Sequence, residues 1–266
     1  MLPKISVITP SYNQGNFLEE TICSVLDQNY SNLEYIIIDG GSTDNSVEII
    51  KKYEKYLAYW VSEKDRGQTH AINKGFKKAT GDIVGWMNSD DFYYKNTFQY
   101  VSSAYVKTNG KFDVYFGNKD NVDADGNVIR ANLYPPFNIN GICYTENMNI
   151  SNQSALWKRY LFQKIGYLDE DIHFAMDFEF FLRMAINGAS FYHIDETLGA
   201  LRMYEDNKSS DQEWLKVKSN DLKNIRARYG IKKSKLRKIG YYIYKMSYLI
   251  YSGKYEYLRN YWISKS

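Results

Sequence analysis

Asp90 and Asp91 stand side by side after an apolar run, Asp82 to Met87. Adjacent carboxylates at a buried strand end repel each other and call for a cation or for hydrogen-bond donors. Hard oxygen ligands of this kind suit Mg²⁺ or Mn²⁺, often together with substrate phosphates. The pair equally suits a helix N-cap followed by an acidic first turn, and residue types alone leave both open. Asp39 ends another apolar run, just before Gly40-Gly41. A carboxylate there can accept hydrogen bonds from a ribose or a base edge, or bond its own turn. Asp177 and Glu179 alternate with aromatic residues in Ala175-Met176-Asp177-Phe178-Glu179-Phe180-Phe181. Desolvation in such surroundings raises a carboxylate's pKa toward that of a working general base, although Asp177 also fits as the start of a helix. His70, His173 and His193 lack metal-ligand spacing, and no GxSxG elbow or Cys–His pairing is present. The phosphate cradles GxGxxG and GxxxxGK[ST] are absent too. Dehydrogenase and P-loop NTPase readings fall with them.

The elements that must position these groups alternate in type. Lys4–Pro10, Leu33–Asp39, Tyr59–Ser62 and Asp82–Met87 read as strands. Between them lie helices: one with Phe17, Ile22, Val25 and Leu26 on a face, a second from Asp44 or Asn45 to about Tyr56, and a third over Thr69–Ala79. Strand–helix alternation implies right-handed βαβ units and a parallel sheet, with ligands at the carboxyl ends of the strands. The polar clusters Thr9–Asn13, Asp39–Asp44, Ser62–Gln68 and Asn88–Asp91 all fall at those ends, so four strands direct polar loops to one rim. Further on, Tyr115–Asn118 and Val128–Ala131 flank a hairpin turn at Asp123–Asn127. Ser154–Lys164 and Asp177–Asn187 read as helices, Thr197–Tyr204 as a strand, and the chain from Trp214 onward as helices.

With 266 residues, 44% of them hydrophobic and 24% charged, the composition is that of a globular protein with a core of its own. Cys23 and Cys143 cannot build a disulfide framework or a zinc site alone, which points to reduced thiols and a cytoplasmic setting. Met1–Pro10 does not read as a secretory leader, and no apolar window is long enough to span a bilayer. The net charge of +3 hides an asymmetry. Of the 34 Lys+Arg and 31 Asp+Glu, 14 and 2 fall in residues 216–266, leaving 20 and 29 in the remainder. A basic tail on an acidic body suggests an anionic partner such as a membrane surface, while nucleic acid is not expected because the body is acidic. Capping of the body or a dimer contact are the alternatives for these helices, so an oligomer is a possibility.

A series of short stretches, in order, resembles one family. Ile5-Ser6-Val7-Ile8-Thr9-Pro10-Ser11-Tyr12-Asn13 is followed by Ile37-Ile38-Asp39-Gly40-Gly41-Ser42-Thr43-Asp44, then by Asp65-Arg66-Gly67-Gln68 with Ala71-Ile72-Asn73-Lys74-Gly75. Thr80-Gly81-Asp82 leads into Asn88-Ser89-Asp90-Asp91, and Met176-Asp177-Phe178-Glu179-Phe180-Phe181-Leu182-Arg183 closes the set. Together they are similar to the family 2 glycosyltransferases, inverting enzymes of the GT-A fold, over Ile5 to Ser210.

The resemblance implies an α/β, Rossmann-like GT-A fold, its mostly parallel central sheet flanked by helices. Residues 1–212 would form the catalytic domain and 213–266 a basic, Tyr-rich helical extension. It implies a nucleotide-diphospho-sugar donor held by Thr9, Pro10, Tyr12, Asp39, Gly67, Gln68, Asn73, Ser89 and Asp90. Asp91, with Asp90, would bind Mn²⁺ or Mg²⁺, Arg202 and Lys208 would contact the diphosphate, and residues 202–210 would close over it. Asp177 matches the base that deprotonates the acceptor hydroxyl. The implied acceptor is a lipid-linked saccharide of surface-polysaccharide assembly at the inner face of the membrane. Tyr241, Tyr242, Tyr244, Tyr248, Leu249 and Tyr251, with the nearby lysines and arginines of residues 226–262, would dock on anionic lipid. Specificity would reside around Trp86, Ile139–Gln153 and Trp157.

Four positions depart from the family pattern. Asn88 stands where the first acidic residue of the DXD motif is common, and Gly40 where a second aspartate is. Tyr204 replaces a histidine that can complete a metal site, and Met176 a frequent glutamate. A processive synthase would need membrane helices and a Gln-x-x-Arg-Trp motif, neither of which is found. The remaining rivals are a nucleotide-sugar-binding protein without turnover and a sugar nucleotidyltransferase, whose glycine-rich basic loop after the first strand is missing here.

Overall fold

All seven residues of β1 (Ile5–Ser11) are buried, so the strand needs a layer of side chains on each face. In the computed structural model, which describes residues 2–145, 149–205 and 212–254, helices supply both layers. β1 pairs in parallel with β2 (Leu33–Asp39) and with β4 (Ile83–Trp86), and β2 with β3 (Tyr59–Ser62). The two-residue period of a strand divides its side chains between the faces. Ile5, Val7, Tyr35 and Ile37 pack on one side with α1 (Leu18–Leu26) and α2 (Ser46–Tyr53). Ile8, Ile36 and Ile38 pack on the other with α3 (Gln68–Lys78).

Beyond β4 the sheet becomes mixed. The elements in chain order are β5 (Phe92–Tyr93), α4 (Thr97–Lys107), β6 (Val114–Val122), β7 (Val128–Asn132), α5 (Ile139–Tyr144), β8 (Ala155–Lys158), α6 (Leu161–Ile165), α7 (Met176–Ile186), β9 (Phe191–Arg202), α8 (Gln212–Arg228) and α9 (Lys235–Tyr251). Strand order is β3-β2-β1-β4-β8-β6-β9-β5, with β7 paired to β6. β8 runs antiparallel to β4 and β6, and β9 parallel to β6. The hairpin turn forms where expected: Asp123 Oδ1 accepts from Asp125 N and Asn127 N.

The stretch read as a helix over Ser154–Lys164 is instead β8 followed by the short α6. Ala155, Leu156 and Trp157 are wholly buried between β4 and β6, and ladder pairing overrides helical propensity there. Trp157 belongs to an aromatic cluster with Phe76, Trp86, Phe180 and Phe181; of these Trp86 borders the cavity described below, and Trp157 packs behind it. β9 starts at Phe191, ahead of the expected Thr197, because it follows β6 along most of its length.

α8 and α9 pack against the body. Leu222 and Ile225 of α8 join the larger core cluster. Tyr229 OH donates to Glu179, Arg226 Nη2 to Thr145 O at 2.8 Å and Tyr244 OH to Pro136 O at 2.9 Å. The tyrosine surface expected of α9 is redistributed by helical geometry: Tyr241 and Leu249 are buried. The exposed stripe consists of Leu236, Ile239, Ile243, Met246 and Ile250, spaced by three and four residues along one face. No helix among the described residues is long and apolar enough to cross a membrane.

Candidate active site

The polar loops converge as the topology requires. A cavity of about 1020 Å³ opens over the carboxyl ends of the parallel strands. Pro10, Ser11 and Tyr12 after β1, Gly40 and Gly41 after β2, and Lys64–Asp65 with Gly67–Gln68 after β3 border one side. Asn88–Asp91 after β4 stand at the centre. β6, β7, residues 150–153 and α7–α9 supply the opposite side.

No helix begins at Asp91, since β5 follows at Phe92, so the helix-cap reading falls. Asp91 is 1% exposed. Its Oδ2 accepts from Asn88 Nδ2 at 3.0 Å and Gln153 Nε2 at 2.8 Å, and its Oδ1 from the Arg202 backbone N at 2.9 Å. Burial and the neighbouring Asp90 nevertheless push its carboxyl up to about 7. Asn88 also accepts from Gln68 Nε2 at 2.9 Å. An amide can donate to Asp91 there, which an aspartate could not, and this gives the departure from the acidic pattern a physical reason. Asp90 Oδ2 accepts from Tyr204 OH at 3.0 Å. Burial and Asp90 raise the Tyr204 phenol, which therefore keeps its proton.

Asp177 lies in the first turn of α7, borders the cavity, and accepts from Phe178 N at 2.7 Å. Burial raises its carboxyl, while the Phe178 amide, Lys119 and Lys218 oppose the rise. The position is held from outside α7: Asp221 Oδ2 on α8 accepts from Phe174 N at 3.0 Å and Ala175 N at 3.2 Å. Met176, also at the cavity, accepts from Thr69 Oγ1 through its sulfur at 2.9 Å. Glu179 points into the core, where Arg183 grips it through Nε and Nη2, both at 2.9 Å, so it is no candidate base.

Several expected donor contacts sit behind the cavity wall. Thr9 Oγ1 shares a 3.0 Å hydrogen bond with Tyr35 OH beneath the sheet rim. Asp39 is fully buried and accepts from Gly41 N, Ser42 N, Ser42 Oγ and Ser62 Oγ. It is thus the turn carboxylate of the two readings left open by the sequence. Asn73 ties α3 to the Leu168 backbone through both amide atoms. Pro10, Tyr12, Gly67, Gln68, Ser89 and Asp90 do border the cavity, and Tyr12 is 59% exposed there.

Arg202, expected at the diphosphate, does not border the cavity. Its guanidinium pairs with Glu20 Oε2 at 2.5 Å, donates to the Asp90 carbonyl at 2.9 Å, and lies over the Phe17 ring. Its backbone N bonds Asp91, so the residue clamps the acidic turn. Lys208 lies outside the described residues.

Asp65 is the group that motif reading undervalued. A Cβ on Gly40 would sit 2.6 Å from Asp65 Oδ2 and 3.3 Å from the Tyr12 ring. The Asp65 carboxylate thus occupies the space of the second aspartate missing at position 40. Gly67, at φ +109°, turns the chain into α3 right after it.

Similarity to known proteins agrees with this architecture. The family model "Glycosyl transferase family 2" matches residues 6–187. The chain belongs to glycosyl transferase family 2. An uncharacterized glycosyltransferase of Mycobacterium tuberculosis is 34% identical over 189 residues, 69% of this family 2 chain and 70% of its own. One from Rickettsia conorii is 27% identical over 201 residues, and the chain spans 33% of that longer protein. Among solved structures, S. aureus TarS 1–349 in complex with UDP superposes with a TM-score of 0.63 at 22% identity, covering 82% of this chain and 65% of that one. The mannosyltransferase PcManGT from Pyrobaculum calidifontis, in complex with GDP-Man and Mn²⁺, gives 0.65 at 20% identity, covering 88% and 66%. At such identity these two establish the GT-A fold.

Proposed function

We propose that the chain moves a sugar from a nucleotide-diphospho-sugar to a hydroxyl of a saccharide acceptor, inverting the anomeric carbon. One observation carries this reading: the Asp177 carboxylate, in the first turn of α7, and the Asp90–Asp91 pair, after β4, border the same cavity. The donor side gathers Pro10, Tyr12, Asp65, Gly67 and Gln68 for the nucleotide, with Asp39 and Asn73 holding their loops in shape. Asp177 takes the proton of the acceptor hydroxyl as its oxygen bonds the anomeric carbon. The bond from that carbon to the diphosphate oxygen breaks on the opposite face, releasing the nucleoside diphosphate. Burial favours this role, because a raised carboxyl is a stronger base than an exposed aspartate.

The carboxylates at the cavity are few for a divalent ion held by protein groups alone. No group of three or more His, Cys, Asp or Glu side chains suited to a metal occurs among the described residues, and Asp91 already accepts three hydrogen bonds. Such a set fits Mg²⁺ or Mn²⁺ held by one or two carboxylates together with substrate phosphates. Asp90 and Asp91 would hold it, and when bound it neutralises charge developing on the diphosphate. The GDP-Man and Mn²⁺ of PcManGT support this reading of the family.

The acceptor we propose is lipid-linked, in surface-polysaccharide assembly on the inner membrane face. Support comes from α9, which lines the cavity with Tyr241, Lys245 and Leu249 and carries the exposed apolar stripe on an adjoining face, Met246 standing at the border of the two. Residues 226–254 add the lysines and arginines of an interfacial helix.

Thermal unfolding with UDP, GDP, dTDP and CDP, each with and without Mn²⁺, tests the donor side, since a ligand of the native state raises Tm by mass action. One nucleotide should raise Tm, and only with the metal. No shift with any of them would overturn the reading. Binding without turnover against any glycan acceptor would leave a nucleotide-sugar-binding protein.

A further inference from the structure

The side of the cavity opposite the nucleotide loops has a charge pattern that proton transfer alone does not require. Lys119 on β6, Arg130 on β7, Lys218 on α8 and Lys245 on α9 all border it. They come from two parts of the chain, the β6–β7 hairpin and the α8–α9 pair, which the fold brings together. Among the described residues the side-chain ammonium groups of Lys119, Lys218 and Lys245 have no hydrogen-bond or ion-pair partner. Lys218 Nζ instead lies over the Phe174 ring, 5.6 Å from its centroid. Asp91 and Asp177 attract Lys119, while Lys218 and Arg130 repel it. Burial, with this repulsion, lowers Lys119 to about 8, and burial and Arg130 lower Lys245 as well. Asp91 and Asp177 offset part of this repulsion at Lys119, but no carboxylate among the described residues acts on Lys245, and like charges gathered in a half-buried space favour a further anion. Two residues that border the cavity also carry buried donors without hydrogen-bond partners, Trp86 Nε1 and Asn152 Nδ2. Buried donors of this kind call for a polar ligand.

We propose that Lys119, Arg130, Lys218 and Lys245 form an anion subsite that takes a phosphate carried by the acceptor. Lysines act as point charges for phosphate and the arginine as a planar fork. Tyr241, Tyr242 and Met246 lie beside them, giving apolar surface next to the anion. That the phosphate belongs to the acceptor rests on the reading of Asp177 as the base, because Lys119 and Lys218 are the cations that act on Asp177. The acceptor is then a phosphorylated saccharide whose phosphate lies close to the hydroxyl attacked.

Calorimetry on the full chain tests this with glucose 1-phosphate, glucose, glucuronate and farnesyl diphosphate. Glucose 1-phosphate should bind while glucose does not at the same concentration. Tighter binding of farnesyl diphosphate would identify the diphosphate of a lipid carrier as the source, and tighter glucose 1-phosphate a phosphate on the sugar chain. The double variant Lys218→Gln/Lys245→Gln should lose at least tenfold affinity for glucose 1-phosphate and keep the nucleotide-dependent rise in Tm. Removing two repelling cations should not lower its Tm, so misfolding would not mimic the result. Equal binding of glucose, glucuronate as tight as glucose 1-phosphate, an unchanged double variant, or displacement by UDP or GDP would each overturn the subsite. Absence of any nucleotide shift in the parent chain would instead count against the donor reading, so the two failures are distinct.

Discussion

Burial lifts the Asp177 carboxyl above the usual carboxylate range, with opposite consequences for turnover and for folding. As a base the residue is stronger than an exposed aspartate, so the acid limb of the kcat/KM profile should fall at a higher pH than about 3.9, the unperturbed value. For folding, the proton is held more tightly in the native state than in the unfolded chain. The stability Asp177 contributes is therefore present below the unfolded value and lost as pH rises through the folded one. Asp177→Asn should lower transfer by about 10²–10⁴-fold, while its Tm at pH 8 equals or exceeds that of the parent. A lower Tm at pH 8 would show that Lys119 and Lys218 outweigh burial at this site. Tyr204 makes a second test at this scale. Its phenol keeps its proton and donates to Asp90 at 3.0 Å, so it competes with an ion for that carboxylate. Tyr204→His replaces the donor by a neutral ligand nitrogen. Titration of Mn²⁺ in the presence of the nucleotide that raises Tm should then show tighter binding, on the order of tenfold. Unchanged Mn²⁺ affinity would mean that Asp90 is not a ligand.

Asp177 is placed by an element that carries no motif. Asp221 of α8 accepts the two backbone N–H groups just before α7, doing from another helix what an N-cap side chain does locally. Asp221→Ala leaves both donors without that acceptor and should lower stability by about 1–3 kcal/mol. It should reduce kcat with little change in the nucleotide shift, and Asp221→Asn should restore much of both, since the amide keeps an acceptor oxygen. Equal kcat in all three proteins would remove Asp221 from the positioning of Asp177. This dependence also explains what could be read without a structure. β1, β2, β3 and β4 were legible because each is a largely apolar run that leads into a cluster of polar residues, and the cavity follows from where those runs end. β8 was not, because Ala155-Leu156-Trp157 is too short for periodicity to separate strand from helix. Of the candidate site, Asp90, Asp91 and Asp177 could be singled out from local residue type, and all three border the cavity. Lys119, Lys218, Lys245 and Asp221 were not, because their meaning comes from elements that meet only in the fold. Arg202, expected at the diphosphate, lies behind the cavity wall for the converse reason: a buried clamp between Glu20 and the Asp90 carbonyl looks, in sequence, like any arginine near a phosphate loop.

Across the molecule, α9 joins the cavity to the surface. Its buried face carries Tyr241 and Leu249, its half-buried face Lys245, and its outer stripe Leu236 and Ile243, 84% and 62% exposed. An isolated apolar residue on a surface needs no explanation, but five on one helical face, flanked by Lys232, Lys233, Lys235, Arg237 and Lys238, fit the plane of an anionic bilayer. Removing the helix is the wrong test, since α8 and α9 are tied to the body through Tyr229, Arg226 and Tyr244 and truncation would uncover Leu222 and Ile225. Substitution on the outer stripe leaves those ties alone. Ile239→Ser/Ile243→Ser should keep the parent Tm, because neither side chain is buried in the fold. The same variant should partition onto phosphatidylglycerol vesicles about tenfold or more weakly, as expected from loss of two partly inserted isoleucines. Added salt should weaken the parent's binding without abolishing it, because screening acts on the lysines and arginines and not on the apolar stripe. Flotation that depends on salt alone and ignores the two isoleucines would make the contact purely electrostatic, and the stripe would then need a protein surface to cover it.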